Sequence, residues 1–116
     1  KMYPEEHLAS FRRARENHVK IVLGSDTYRI LPQGENAFEL ECMVKGGMSE
    51  MEALVAGTKT GSEALGLEAV IGSIEEGRYA DLLVVDPDPL SNISNLRSKA
   101  NIKMIMKKGD IVTNQL

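Results

Sequence analysis

Cysteine is nearly absent from this chain of 116 residues: Cys42 stands alone. One thiol can neither close an intrachain disulfide nor build a zinc cage. Tryptophan is missing, and three Tyr and two Phe are the whole aromatic content. Burial must therefore rest on Ile, Leu, Val, Met and Ala. No apolar run approaches the ~20 residues of a membrane span. Positive charge is not in excess either, since 14 Lys and Arg face 17 Asp and Glu for a net charge of −3. Basic residues cluster at Arg12, Arg13 and Arg15 and at Lys103, Lys107 and Lys108. Neither cluster has interleaved aromatics for stacking bases, so both read as solvated surface and not as a nucleic-acid face.

What remains is ordinary globular composition, 42% hydrophobic and 27% charged, at a length that suits one small domain. A single Cys, six Met and no signal-like start fit a cytoplasmic protein. The first residue is Lys1 and a helical pattern follows almost at once. That opening points to sequence missing upstream.

The first half alternates helix and strand signals. Pro4 suits the start of a helix, and Glu5 and Glu6 complement its positive end. Leu8, Phe11 and Ala14 form one apolar stripe, which predicts a helix over 4–17. Val19 to Leu23 reads as a short strand buried on both faces, ended by Gly24-Ser25-Asp26. Residues 27–35 read as a loop. A second helix is predicted over 36–45, capped by Asn36, with Ala37, Leu40 and Val44 inward. Ser49 and Glu52 form a capping box for a third helix running to Thr58, with Met51, Leu54 and Val55 inward. Thr60 and Glu63 repeat that logic for a short helix stopped by Gly66.

After Leu67 the pattern turns to β. Short strands are predicted at 71–74, 81–86, 102–107 and 111–113, with Lys108-Gly109-Asp110 as a hairpin connection. Ile102, Met104 and Met106 would form a period-2 core face. The fold class is therefore α/β for about 66 residues and mainly β beyond them.

The order of motifs resembles the amidohydrolase superfamily. Val19 to Asp26 is similar to that family's last barrel strand, which ends in Gly-Ser/Thr-Asp. Gly34 to Leu40, Gly47 to Leu54, Ala64 to Leu67, Gly72 to Gly77, Ala80 to Asp86 and Met104 to Asp110 follow in the family's order. The likeness spans residues 18–113 and is nearest the imidazolonepropionase-like branch, which includes prolidase-type dipeptidases. It implies a (β/α)8 barrel beside a small β-sandwich built from both chain ends. Residues 1–66 would be the terminal helix–strand–helices portion of the barrel, and residues 67–116 the C-terminal strands of the sandwich.

The resemblance also implies a chemistry. In the family the aspartate after the last strand binds a metal and acts as general base, and Asp26 matches it. Bound zinc brings the pKa of its water to about 7, and a neighbouring carboxylate can take the proton and pass it to a leaving amine. By residue type alone, an aspartate after a strand more often caps the next turn. Tyr28 and Arg29 follow, and an Arg fork suits a substrate carboxylate, although an exposed loop pair is an equal reading. Gln33 stands where relatives often carry His, and Glu35 could face the cleft. Cys42 reads as a small core residue.

A catalytic zinc takes about three protein ligands and keeps an open water position. The family draws these from a His-x-His, a lysine or glutamate and two more histidines. Only His7 and His18 occur here, and neither is in such a motif. The expectation is thus the C-terminal part of a zinc-dependent hydrolase of C–N bonds, a dipeptidase being one form of it, acting on a small molecule or dipeptide. The chain alone would be inactive and without zinc. A lone buried strand and unpartnered sandwich strands expose edges. They predict self-association, or attachment to the remainder of the same protein. The competing reading is a short non-catalytic α/β module that keeps the fold for binding or assembly. A nucleotide-binding domain is excluded, because residues 24–34 carry no phosphate-loop motif.

Overall fold

The structure, a computed structural model, describes residues 4–26 and 33–116. Helix α1 spans Glu5–Glu16, with Pro4 at its N-cap and Arg13 and Arg15 in its last turn. Helix α2 spans Ala37–Lys45, α3 Glu50–Gly57 and α4 Lys59–Ala64. Strands β1 (Leu82–Val85), β2 (Ile102–Lys107) and β3 (Asp110–Asn114) follow. Two 3₁₀ turns, Ile93–Arg97 and Lys99–Asn101, lie between β1 and β2.

Apolar side chains of α2 and α3 make the core. Phe38, Leu40, Met43, Ala53, Ala56 and Ile93 are buried. Phe11, Ile21, Leu23, Val44, Met48, Leu54 and Leu96 pack against the central cluster. Ala53 and Ala56 are the inward residues of α3, while Met51 and Val55 are exposed, contrary to the predicted face. The shift follows from helix spacing: small residues three apart let α3 approach α2 closely, and larger neighbours are turned outward. On α2 the buried set is Phe38, Leu40 and Met43, with Ala37 and Val44 only half-buried.

The capping box of α3 forms as its sequence requires. Glu52 N–H donates to Ser49 Oγ at 3.2 Å, and Ser49 N–H donates to the Glu52 carboxylate at 2.7 Å. That backbone bond, with the Arg15 guanidinium 3.1 Å away, holds the Glu52 carboxyl below its ordinary range. Helix α4 instead begins after Thr58, without the cap predicted at Thr60. Asn36 makes no side-chain cap either, because its backbone is already helical.

Residues 19–26 carry no regular secondary structure and join no sheet among the described residues. Leu23 N–H reaches Ala56 C=O at 3.3 Å and Val19 N–H reaches Ala14 C=O at 3.0 Å. The strand predicted over 19–23 is therefore not formed here, since a parallel ladder needs neighbours.

The three strands form one antiparallel sheet in the order β1-β2-β3. Lys107 pairs with Asp110 across a two-residue turn. Lys108 (φ 52°) and Gly109 (φ 90°) both take positive φ, as a type I′ turn demands. The Asp81 carboxylate receives Lys107 Nζ at 2.7 Å and Lys108 N–H at 2.8 Å. These contacts hold its pKa below the usual carboxylate value, the lysine side chain contributing most.

The strand predicted at 71–74 is a turn. The Arg78 guanidinium donates to the carbonyls of Glu68 and Ile71, so backbone acceptors that a ladder would have used are occupied locally. Gly72 (φ 94°) sits against the buried Ser62, and a Cβ there would lie 2.3 Å from Ser62 Oγ. Only glycine permits both that backbone and that approach.

The sheet is only partly covered. Met104 and Met106 are half-buried like their neighbours, so the expected core face is not closed. Leu83, Val84, Ile111 and Val112 are exposed. The accessible surface is 8166 Å², against about 6300 Å² for a compact chain of this mass. The radius of gyration is 14.9 Å, against about 13.4 Å for a compact domain of this length. Both differences have the same cause: apolar sheet and helix faces without a cover.

Candidate functional site

Asp26 closes the segment that follows α1. Its side chain is exposed and its backbone takes a positive φ of 42°. Aspartate tolerates that region better than most residues, because its short polar side chain can bond locally. The path to Asp26 is set from behind. Ile21 and Leu23 pack into the core beside α2 and α3, and Leu23 N–H is held by Ala56. Asp26 thus leaves the packed body at the end of an anchored run. Tyr28 and Arg29, predicted as substrate contacts, lie outside the described residues.

Beyond Gln33 and Gly34, both exposed, the chain is fastened again. Phe38 N–H donates to Glu35 C=O at 2.9 Å and starts α2. The Arg97 guanidinium lies 4.7 Å from the centre of the Phe38 ring, donates to Glu41 at 3.1 Å and stands 3.9 Å from Glu35. Lys45 Nζ donates to Glu41 at 2.6 Å and also lies over Phe38, at 6.0 Å. Lys45 first, and Arg97 with it, keep the Glu41 carboxyl below its ordinary value, and Glu41 raises Lys45. The Glu41–Lys45 pair is legible as an i,i+4 spacing. Arg97 is not, because 56 residues separate it from Glu41.

The histidines do not join Asp26 in a ligand set. His7 is exposed on α1, and His18 is exposed just past that helix, with φ 55°. Among the described residues no three His, Cys, Asp or Glu side chains are grouped as a metal would need. A single exposed carboxylate does not fit a zinc ion that takes three protein ligands. Cys42 is half-buried on α2, as a small packing residue would be.

Two concavities lie elsewhere. One of about 300 Å³ is lined by Arg15, His18, Val19, Ile21, Met48 and Glu52. A second of about 280 Å³ is lined mainly by Lys20, Ile21, Met51, Val55, Ala56 and Thr60. Neither reaches Asp26. Both run along the anchored segment and beside α3, and the second is largely apolar. Among the described residues no helix is long and apolar enough to cross a membrane.

Comparison with known proteins places the arrangement. The family model described as Amidohydrolase family matches residues 1–112. Ochratoxinase of Aspergillus niger is 31% identical over 109 residues, covering 92% of this chain and 22% of that protein. Imidazolonepropionase of Thermoplasma volcanium is 31% identical over 101 residues, covering 84% of this chain and 24% of that protein. Among solved structures, a Xaa-Pro dipeptidase with bound methionine superposes with a TM-score of 0.84 at 34% identity, over 92% of this chain and 25% of that one. The Aspergillus niger ochratoxinase structure superposes with a TM-score of 0.85 at 30% identity, over 95% of this chain and 25% of that one. The chain therefore spans about a quarter of the length of the relatives it matches.

Proposed function

The chain belongs to the amidohydrolase family, and from that membership we propose that it is the C-terminal portion of a metal-dependent hydrolase of C–N bonds. In this reading residues 1–66 complete a (β/α)8 barrel and residues 67–116 contribute strands to a β-sandwich. The unladdered segment 18–26 is then a barrel strand without its neighbours, and the open sheet is a sandwich layer without its mate. The observation that carries the reading is the placement of Asp26 at the end of a run anchored in the core, where a barrel carries its chemistry.

Asp26 is proposed as the general base and as one carboxylate of a metal site. As base it accepts a proton from the attacking water and returns it to the leaving nitrogen, so the amine departs neutral. Arg29 offers a fork for a substrate carboxylate, with Tyr28 beside it. The remaining ligands for zinc would have to come from outside this chain. The substrate is a small amide or dipeptide, consistent with relatives named as a Xaa-Pro dipeptidase and an ochratoxinase. The compartment is cytoplasmic in the same reading. The isolated chain is inactive and meets either the remainder of its own protein or another copy through its open edges.

The test is hydrolysis of a panel of dipeptides, Xaa-Pro included, with zinc supplied. We expect no turnover by the 116-residue chain alone. We expect turnover when it is expressed with a preceding segment that carries His-x-His. In that assembly Asp26→Asn should lower kcat by roughly 10²–10⁴-fold, the usual share of a general base. An unchanged kcat would remove Asp26 from the chemistry. No turnover in the full assembly would favour a non-catalytic binding module.

A further inference from the structure

Gly57 is a glycine that the backbone does not require. It ends α3, it is not among the residues with positive φ, and glycine weakens a helix relative to alanine. Space explains it instead. A Cβ on Gly57 would lie 3.3 Å from Leu40 Cδ2, 3.4 Å from Leu23 Cδ1 and 3.8 Å from Leu23 Cβ. The first distance is inside the ordinary carbon contact of about 3.5–4.0 Å and the second at its edge, so a methyl is tight and a branched side chain has no room. One residue earlier, Ala56 C=O accepts the Leu23 N–H at 3.3 Å. The last turn of α3 therefore meets Leu23 twice, through a carbonyl and through a bare Cα, with Leu40 of α2 against the same spot.

We propose that Gly57 is a positioning residue for Asp26: its missing side chain lets Leu23 sit flush on α3, and that seat fixes where the chain delivers the carboxylate. This rests on the reading of Asp26 as general base. Leu23 is the last apolar side chain packed on the core before Asp26, and only Gly24 and Ser25 stand between them. A Cβ on Gly24 would meet nothing within 4 Å, so the chain has no comparable support there. Packing decides which side of the contact yields to a larger residue at 57. Helix α3 is held by the buried Ala53 and Ala56, and Leu40 is buried as well. Leu23 is only half-buried, so the displacement falls on it and is passed along the chain to Asp26. A general base tolerates little of this, because a misplacement of about 1 Å can cost about 10²-fold in rate.

Steady-state kinetics of the full assembly, with the His-x-His segment and zinc, test the role. Gly57→Val should lower kcat roughly 10–100-fold. KM should stay within about twofold, because a misplaced base is felt in the transition state and not in binding. Gly57→Ala, the gentler substitution, should act in the same direction by less. Gly72→Ala, which disturbs the turn against Ser62, should leave kcat as it is below its Tm. The decisive variant is the size swap Gly57→Val with Leu23→Ala, which keeps the number of side-chain carbons at the contact. Leu23→Ala alone should lower kcat, and the swap should exceed either single change, the mark of direct coupling. In the 116-residue chain, exchange of the Leu23 amide should quicken at least about tenfold in Gly57→Val and slow again in the swap, which reads the seat without turnover. An unaltered kcat in both Gly57 variants, a swap no better than the single changes, or an equal loss in Gly72→Ala overturns the proposal. If the Leu23 amide responds while Asp26→Asn leaves kcat unchanged, the reading of Asp26 is what fails, and the positioning role falls with it.

Discussion

Replacing Ile93 by alanine should loosen both halves of the chain together. Ile93 is 3% exposed and belongs to the same buried cluster as Leu40, Met43, Ala53 and Ala56. It stands after β1, in the part of the chain that otherwise forms the sheet, yet its side chain fills the space between the helices. The substitution removes three carbons, about 2.4 kcal/mol of transfer free energy at ~0.8 kcal/mol each. A cavity term adds to this, giving a loss of about 3 kcal/mol. A chain of this length has roughly 6–17 kcal/mol of total stability, and its thin core argues for the lower end. The loss is therefore a third to a half of the whole. Urea unfolding would be followed by circular dichroism at the helix band and by tyrosine fluorescence, with Tyr3 and Tyr28 replaced by Phe so that Tyr79 reports alone. Both midpoints should fall by the same amount. If Tyr79 moves and the helix signal stays, or if the loss is under about 0.5 kcal/mol, Ile93 is not the tie between the two parts.

Gly72→Ala should destabilise by about 1–3 kcal/mol, from a positive φ and a clash with the buried Ser62; thermal unfolding measures it, and an unchanged Tm would mean that the turn relocates at no cost. The pH dependence should carry the mark of Glu41. Its folded pKa is lowered, by Lys45 first and Arg97 after, so its contribution is complete above the unfolded carboxylate value and disappears as pH falls through the folded one. Glu41→Gln should flatten the acid limb of the stability–pH curve; a limb of unchanged steepness would assign it to other carboxylates.

Local rules made some elements readable in advance. The capping box of Ser49 and Glu52 forms as written, and Lys108-Gly109 turns the hairpin that its residue types demand. The bounds of β2 are those read from its alternating pattern, 102–107. What local rules could not supply was partnership. Met51 and Val55 have the apolar character of an inner face, but Ala53 and Ala56 lie against α2 because close packing favours small side chains there. Ile71 to Ile74 has strand composition, and a guanidinium seven residues on takes the Ile71 carbonyl. At the candidate site, it is the resemblance to the family that singles out Asp26 in the Gly-Ser-Asp after an apolar run. Arg97 was not, because nothing near it in the chain announces Glu41 and Phe38 as its partners.

The turn at Lys108-Gly109 has a consequence in time. Closing two residues costs little chain entropy, so β2 and β3 can meet within about 1–10 μs, the pace of a simple hairpin. The helical cluster must wait for Ile93 to arrive from far along the chain. Until then a hairpin formed on its own would show apolar side chains on both faces, Ile105 and Ile111 among them. Dilution during refolding should therefore raise the yield of the native chain.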